Sequence, residues 1–457
     1  MVPTTLTDAI NEKPFLKEVS TAYIKEGFEI YLVGGAVRDG ILGIKTTDFD
    51  FATNASTEES LTILNKKGYK TTEIGKAYGT VESNIEKCSI HITTYREDTY
   101  TTESRKPEIK NTKSLETDLS RRDFTLNSIA YDITKNEIID PYEGLKDLSK
   151  GKIKTPSSPE ISFSDDPLRM VRACRFISTH SFTPSTEVFD AISNNLERIT
   201  IVSKERLRDE LTKLLTGKNP SLGIRALLES GLSKLIMPEL NELKMEVDPN
   251  HHHKDVYEHT LVVLDRVSPT LVSRMSALLH DIGKPKTKGI ENGKVHFRHH
   301  EVVGAKMTKK IMKGLKYDKD TTNKVALLVE NHLRPHTFKM GWTDSAVRRY
   351  IIDSDGLTEE LNELVRADIT TKNKEKEAEI NKYLDEMEKR IEEVKEKEEL
   401  SKLRPPITGN EIMDMFELEP GPIVGKIMDA LYEQRINDGE VSKEEAIKLA
   451  KETYKKL

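Results

Sequence analysis

Leu32-Val33-Gly34-Gly35-Ala36-Val37-Arg38-Asp39-Gly40-Ile41-Leu42, followed by Gly43-Ile44-Lys45-Thr46-Thr47-Asp48-Phe49-Asp50-Phe51-Ala52-Thr53, decides how the first part of this chain folds. Phe28 to Val33 reads as a short buried strand, Gly34-Gly35 breaks it, and Ala36 to Asp39 opens a helix. Thr47 to Phe51 reads as a second strand. Side chains alternate faces along a strand, so Asp48 and Asp50 point one way while Phe49 and Phe51 point the other. Two carboxylates at one spot repel and resist joint ionisation. A pair of Mg²⁺ ions would hold both ionised and align a nucleoside triphosphate for in-line attack. Asp-x-Asp alone reads more readily as a solvated surface turn; the glycine turn changes that by adding backbone N–H groups, at a helix start, that can hold phosphates.

Outward from this stretch, Val81–Ile85 and Ser89–Tyr95 read as further strands, which completes a small mixed α/β head over residues 1–150. The segment from Thr94 to Leu119 is rich in Thr, Lys and Glu and is expected to form a mobile loop. After Pro156 the strand signals mostly stop. Leu168, Val171, Phe176, Leu207, Leu211, Leu214, Leu227 and Leu228 recur at helical spacing, which predicts a helical neck over residues 151–248. A histidine-bearing helical unit follows over 249–370 and a helical tail over 371–457. Within the tail, Ile380, Leu384, Met387, Ile391 and Val394 alternate by four and three residues in a Glu- and Lys-rich stretch. That pattern predicts a long helix laying one stripe on its own bundle. The fold class is therefore α+β, a mixed head followed by helices throughout.

A chain of 457 residues exceeds one ordinary core, in keeping with several domains. Cys88 and Cys174 lie far apart and form no Cys-x-x-Cys pair, so neither a disulfide framework nor a zinc knuckle is expected. Export and membrane insertion are not indicated by the N-terminal stretch or by any long apolar window, and a cytoplasmic location is expected. The net charge of −6 gives no global basic signature, so any RNA site must be a local patch.

The stretch Leu32–Thr53 resembles the signature of class II tRNA nucleotidyltransferases and bacterial poly(A) polymerases, a branch of the polymerase β-like superfamily. The resemblance continues at Arg121-Arg122-Asp123-Phe124-Thr125-Leu126-Asn127, similar to a motif that contacts ribose and triphosphate. Asp140-Pro141-Tyr142-Glu143-Gly144 to Leu148 looks like the hinge between head and neck. It implies Asp48 and Asp50 as catalytic Mg²⁺ ligands, with Gly34, Gly35, Arg38, Arg122, Asp123 and Asn127 around the nucleotide. Asp165-Asp166-Pro167-Leu168-Arg169 is similar to a Glu-Asp-x-x-Arg motif, with Asp165 in place of Glu. On a helix Asp166 and Arg169 would share a face and present an acceptor beside a donor fork. Cytosine and adenine each offer an amino donor beside a ring-nitrogen acceptor, whereas uracil and guanine reverse that polarity, so the pair would select C and A. By resemblance Arg172 contacts the triphosphate, and Arg206, Glu210 and Lys213 brace helices. Related heads often carry a carboxylate where this chain has His91, which is left out of the metal ligands.

His259, His280-Asp281 and Asp368 fit the pattern of the HD phosphohydrolase superfamily, with His300 and His332 at positions that supply a second metal in its better-equipped members. Such a mixed set suits Mn²⁺, Ni²⁺ or Co²⁺, and a metal there would activate water for phosphoester hydrolysis. His251-His252-His253 precedes the pattern and reads as a polar loop or helix cap. The whole chain looks like an HD-bearing enzyme of the CCA-adding type common in actinobacteria. That implies tRNA, CTP and ATP as substrates, with a tail at Gly421-Pro422-Ile423-Val424-Gly425 that grips tRNA or packs on helices. Poly(A) tailing, CC-only or A-only addition, and an HD hydrolase with an RNA-binding head remain as alternatives.

Overall fold

The computed structural model describes residues 2–74, 79–101, 104–245, 255–292, 294–371, 373–398, 405–439 and 441–457. The chain divides into two compact units, Met1–Asn241 and Glu242–Leu457.

In the first unit nine strands precede the helical part: β1 Ile30–Val33, β2 Asp48–Thr53, β3 Thr71–Ile74, β4 Thr80–Ile85, β5 Cys88–Thr94, β6 Arg96–Thr101, β7 Ser104–Asn111, β8 Ala130–Asp132 and β9 Glu137–Ile139. Seven form one sheet in the order β3-β4-β5-β2-β1-β8-β9, in which β2 and β5 run parallel and the other pairs antiparallel. The expected alternation on β2 holds. Phe49 and Phe51 are 3% and 1% exposed, whereas the Asp48 and Asp50 side chains are 65% and 49% exposed. Burial of each phenyl ring contributes roughly 1.5–3 kcal/mol, which fixes the register and with it the carboxylate face.

The stretch expected to be a loop between Thr94 and Leu119 is instead a β6–β7 hairpin followed by the helix Leu115–Ser120. Its strands, Arg96–Thr101 and Ser104–Asn111, are mostly polar and charged, so they carry no apolar alternation for a sequence pattern to reveal. Its base is tied by Asp98, which lies 3.0 Å from Arg96 and 3.5 Å from Arg121.

The helical part of this unit comprises Pro159–Asp165, Leu168–His180, Thr186–Asn194, Lys204–Leu215 and Pro220–Glu229 with shorter turns. Leu168, Val171, Phe176, Leu207, Leu211, Leu214, Leu227 and Leu228 are all buried, as their spacing predicts. Helices are not alone here: Lys152–Ile153 pairs with Thr183–Pro184. At the expected hinge, Asp140 accepts from the N–H groups of Gly144 and Leu145 at 2.7 and 2.9 Å, so a carboxylate caps the helix Gly144–Ser149.

The second unit places Val256–Arg266, Leu271–Leu279, His300–Gly314, Lys319–Asn331 and Thr358–Asp368 around a buried core, with one short hairpin, Lys288–Glu291 with Lys294–Phe297. That hairpin is a second exception to an all-helical reading. The long helix is Lys374–Glu398, and of its expected stripe Leu384, Met387, Ile391 and Val394 are buried on its own unit while Ile380 is half-buried. Gly409–Phe416, Pro422–Asp438 and Lys443–Tyr454 close a small core of Ile407, Ile412, Ile427, Leu431, Val441, Ala446 and Ala450. No helix among the described residues is long and apolar enough to cross a membrane.

A Cβ at Gly144 would stand 2.2 Å from the Thr125 carbonyl oxygen. Gly144→Ala must therefore push the capped helix off the turn that carries Asp123 and Asn127, and a loss of about 1–3 kcal/mol is expected in urea unfolding.

Candidate functional sites

Parallel pairing of β2 with β5 sets Asp50 beside His91, and antiparallel pairing of β1 with β2 sets Val33, the last residue before the glycine turn, beside Asp50. His91 Nδ1 lies 3.2 Å from Asp48 Oδ1 and 3.5 Å from Asp50 Oδ1. Gly34 has φ +71°, which favours glycine, and a Cβ there would lie 3.2 Å from Arg122 Nη1 and 3.6 Å from Asp50 Oδ2, so the turn also stands close to both side chains. A cavity of about 400 Å³ opens beside it, lined in part by Asp50, Thr93, Arg96, Arg121 and Arg122. Three guanidinium groups next to exposed carboxylates suit a polyphosphate held with a cation. Burial, then repulsion from Asp50, raises the Asp48 pKa, and the bond to Asp50 raises that of His91. A divalent cation would relieve the carboxylate repulsion, and the donor set fits one. His91, set aside on sequence grounds, thus belongs to the cluster; the signal lay in Ile90-His91-Ile92, whose alternation turns the imidazole away from the core.

Behind the carboxylates runs a polar network. Arg38 donates to Asn127 Oδ1 at 2.6 Å and Asn127 to Asp123 at 2.9 Å, while Arg172 donates to Asp123 from Nε and Nη2 at 2.8 and 2.5 Å. Arg172 and Arg175 both meet Glu210, at 3.2 and 3.0 Å, so Glu210 braces two helices. Burial pushes the Asp123 pKa up, but Arg172 and Asn127 outweigh it and hold it well below the carboxylate range. Arg122 bonds Asp118 at 3.0 Å.

Asp166 and Arg169 do not share a helix face. Asp166 is extended at φ −129°, ψ 97°, and the helix begins at Leu168. Pro167 is the reason, because a residue before proline is driven out of the α region. The Asp166 carboxylate instead accepts from the Leu168 N–H at 3.2 Å and from Arg206 at 3.1 Å. Arg169 donates to Ser162 Oγ at 2.7 Å and to the Arg121 carbonyl at 2.5 Å, which leaves three of its five N–H donors outside those two bonds.

In the second unit helix ends supply six candidate ligands. His259, His280 and Asp368 form one trio, and Asp281, His300 and His332 another. Asp281 links them, with Oδ2 3.6 Å from His259 and 3.3 Å from His280, and Oδ1 3.4 Å from His300. Nδ1 of His280, His300 and His332 donates to the carbonyls of Ala277, Phe297 and Val329 at 2.8, 2.8 and 2.7 Å. A carbonyl only accepts, so Nδ1 carries a proton and each ring turns Nε2 inward, the nitrogen a cation would take. Burial and His280 lower the His332 pKa to about 4, which keeps it neutral, yet His300 Nε2 and His332 Nε2 stand 3.3 Å apart. Facing lone pairs of this kind fit a divalent cation. A Cβ at Gly283 would lie 2.2 Å from the His300 carbonyl, so glycine lets the His300 helix approach the doublet. Lys284, 2.6 Å from Asp281, and His336, 3.8 Å from Asp368, were not anticipated; Lys284 stands three residues after Asp281 in the sequence, and His336 four after His332. His251-His252-His253 lies outside the described residues.

An A-adding tRNA nucleotidyltransferase of Deinococcus radiodurans is 32% identical over 421 residues, 88% of this chain and 91% of the relative. The chain belongs to the tRNA nucleotidyltransferase family. Three family matches lie along this nucleotidyltransferase: the poly A polymerase head domain at residues 30–154, the "Probable RNA and SrmB- binding site of polymerase A" at 181–244, and the HD domain at 256–403. A CCA-adding enzyme of Ligilactobacillus salivarius is 40% identical over 222 residues, 48% of this chain and 53% of that one, so the chain matches about half the length of such relatives. Among solved structures, the Bacillus stearothermophilus CCA-adding enzyme in complex with CTP superposes with TM-score 0.71 at 22% identity, covering 96% of this chain and 97% of that one. The Thermotoga maritima CCA-adding enzyme complexed with tRNA gives 0.57 at 18% identity, covering 100% and 98%. These likenesses show the fold.

Arg172→Ala leaves the Asp123 carboxylate without its guanidinium, and a loss of about 3–5 kcal/mol is expected by urea unfolding at pH 7. The Asp123 pKa is depressed in the folded state, so its stabilisation is present above the unfolded value of about 3.9 and fades as pH falls through and below it. Asp123→Asn should flatten the loss of stability between about pH 5 and 3.

Proposed function

We propose that this nucleotidyltransferase adds C and A to the 3′ end of tRNA from CTP and ATP without a nucleic-acid template, in the cytoplasm. The observation that carries the reading is the Asp48/Asp50 pair beside the Gly34 turn and an arginine-lined cavity, in a chain alike over 421 residues to an A-adding enzyme. The tRNA 3′-hydroxyl attacks the α-phosphate, the bond to the β-phosphate oxygen breaks, and pyrophosphate leaves. Asp48 and Asp50 hold the divalent cation, Mg²⁺, which when bound neutralises developing phosphate charge. Gly34 and Gly35 let the triphosphate approach the backbone. Arg122 offers it a guanidinium, and Arg38, Asn127, Asp123 and Arg172 fix the wall against which the nucleotide sits. Asp166 and Arg169 read the base edge, steadied by Arg206 and Ser162.

The division into head 1–150, neck 151–248, HD unit 249–370 and tail 371–457 remains our functional map, although the HD match runs on to residue 403. The HD unit is proposed as a second centre that hydrolyses phosphoesters with Mn²⁺, Ni²⁺ or Co²⁺, held by His259, His280, Asp281 and Asp368 with His300 and His332 at the further position. A-only addition is the second reading, favoured by the name of the long-matching relative.

Incubation of tRNAs lacking zero, one, two or three terminal nucleotides with each NTP separately separates these readings. The proposal expects CTP to extend the two shortest tRNAs, ATP to complete the end, and growth to stop there. Extension by ATP from CC ends alone indicates A-only addition, and unlimited ATP addition indicates poly(A) tailing. Asp166→Ala should raise incorporation of UTP and GTP relative to CTP and ATP; unchanged selectivity would refute its role. His280→Ala should eliminate hydrolysis of 2′,3′-cyclic phosphates, measured with each of the three transition metals.

A further inference from the structure

We infer that His91 is a third metal ligand of the head and biases that site toward Mn²⁺ over Mg²⁺; this rests on the reading that Asp48 and Asp50 hold the cation. Three strands supply one row: pairing places Glu82 opposite His91 on β4 and β5, and His91 beside Asp50 on β5 and β2. All three point to the same face as Asp48. His91 directs Nδ1 at both carboxylates, 3.2 and 3.5 Å away, while Nε2 lies 3.3 Å from Ser89 Oγ, and Ser89 Oγ donates to Glu82 Oε1 at 3.4 Å.

That outer chain has a direction. A carboxylate only accepts, so the Ser89 hydroxyl hydrogen goes to Glu82, and the hydroxyl oxygen is left to accept from His91 Nε2–H. Without a cation Nδ1 also carries a proton shared with the carboxylates; a cation there takes that proton's place, while the Nε2–H to Ser89 Oγ holds the ring with Nδ1 inward. This is the arrangement by which a partner on one imidazole nitrogen orients the other toward a metal. The ring is set in a strand flanked by buried Ile90 and Ile92, which limits its reorientation.

The consequence lies in the ligand type. Mg²⁺ favours oxygen ligands, whereas affinity of imidazole nitrogen rises from Mn²⁺ through the later divalent metals. Two carboxylates alone discriminate weakly, and adding one nitrogen favours Mn²⁺. Glutamate at the same position would supply a third oxygen and remove that bias. Mg²⁺ still enters the site, and what His91 sets is the ratio of affinities.

The test measures metal binding directly, without turnover. Mn²⁺ binding is titrated by the EPR signal of the free ion, and Mg²⁺ by competition, in the full chain carrying His280→Ala and Asp281→Ala, which takes one ligand from each HD trio. The same titrations in the unmodified chain, where the HD contribution is common to all head variants and cancels in the difference, guard against misfolding of that background. His91→Glu is expected to lower the Mn²⁺/Mg²⁺ affinity ratio about tenfold. His91→Ala should weaken Mn²⁺ more than Mg²⁺, and the nitrogen coupling seen by pulsed EPR on head-bound Mn²⁺ should vanish in both variants. An unchanged ratio, or no nitrogen coupling with His91 present, overturns the inference. Asp48→Asn with Asp50→Asn separates the two claims: if it abolishes head binding while the His91 variants change nothing, only the role of His91 fails. If Mn²⁺ binds the head as before, the carboxylate reading fails and the inference falls with it.

Discussion

Repulsion between Asp48 and Asp50 is the constraint on which the head depends. The two carboxylates cannot separate, because Phe49 and Phe51 are locked into the core on the other side of the same strand, and a slip of one residue would exchange the two faces. The fold therefore stores a local concentration of negative charge that only positive partners relieve. His91 answers part of it from the neighbouring strand, Arg122 stands across the Gly34 turn, and a bound cation would answer the rest. The arginine-lined cavity gives the same charges a use, since a triphosphate brings its own negative groups to the guanidinium side.

The second unit solves a related problem with opposite means. There the inward groups are mostly imidazoles, oriented by Nδ1 bonds to carbonyls, and Asp281 lies buried between them with its pKa well below the ordinary range. Burial alone would raise that pKa, and His280, His300 and Lys284 reverse the effect. An exposed oxygen pair and a buried nitrogen-rich cluster suit different ions and different phosphate chemistry.

The fold was legible where packing writes a period into the chain. Apolar spacing marked the helices of the neck and the stripe of the long helix, and alternation at Asp48–Phe51 marked the carboxylate face. It failed where strands are mostly polar and charged, as in the hairpin of β6 and β7, and where one residue overrides a motif, as Pro167 does by holding Asp166 out of the helix. The metal candidates of both units were legible as residue types in order, but not their geometry. That Asp281 serves two trios, that Lys284 and His336 stand beside the carboxylates, and that His91 faces Asp48 and Asp50 all depend on pairings between distant segments.

The central claim is that Asp48 and Asp50 make the head a nucleotidyl-transfer centre. Its most direct test is Asp48→Ala and Asp50→Ala, each assayed for transfer of radiolabelled CMP or AMP to tRNA in Mg²⁺, with circular dichroism to confirm the fold. Both side chains are largely solvent-facing, so the account predicts unchanged secondary structure and no transfer by either variant. Substantial transfer by either one would contradict it.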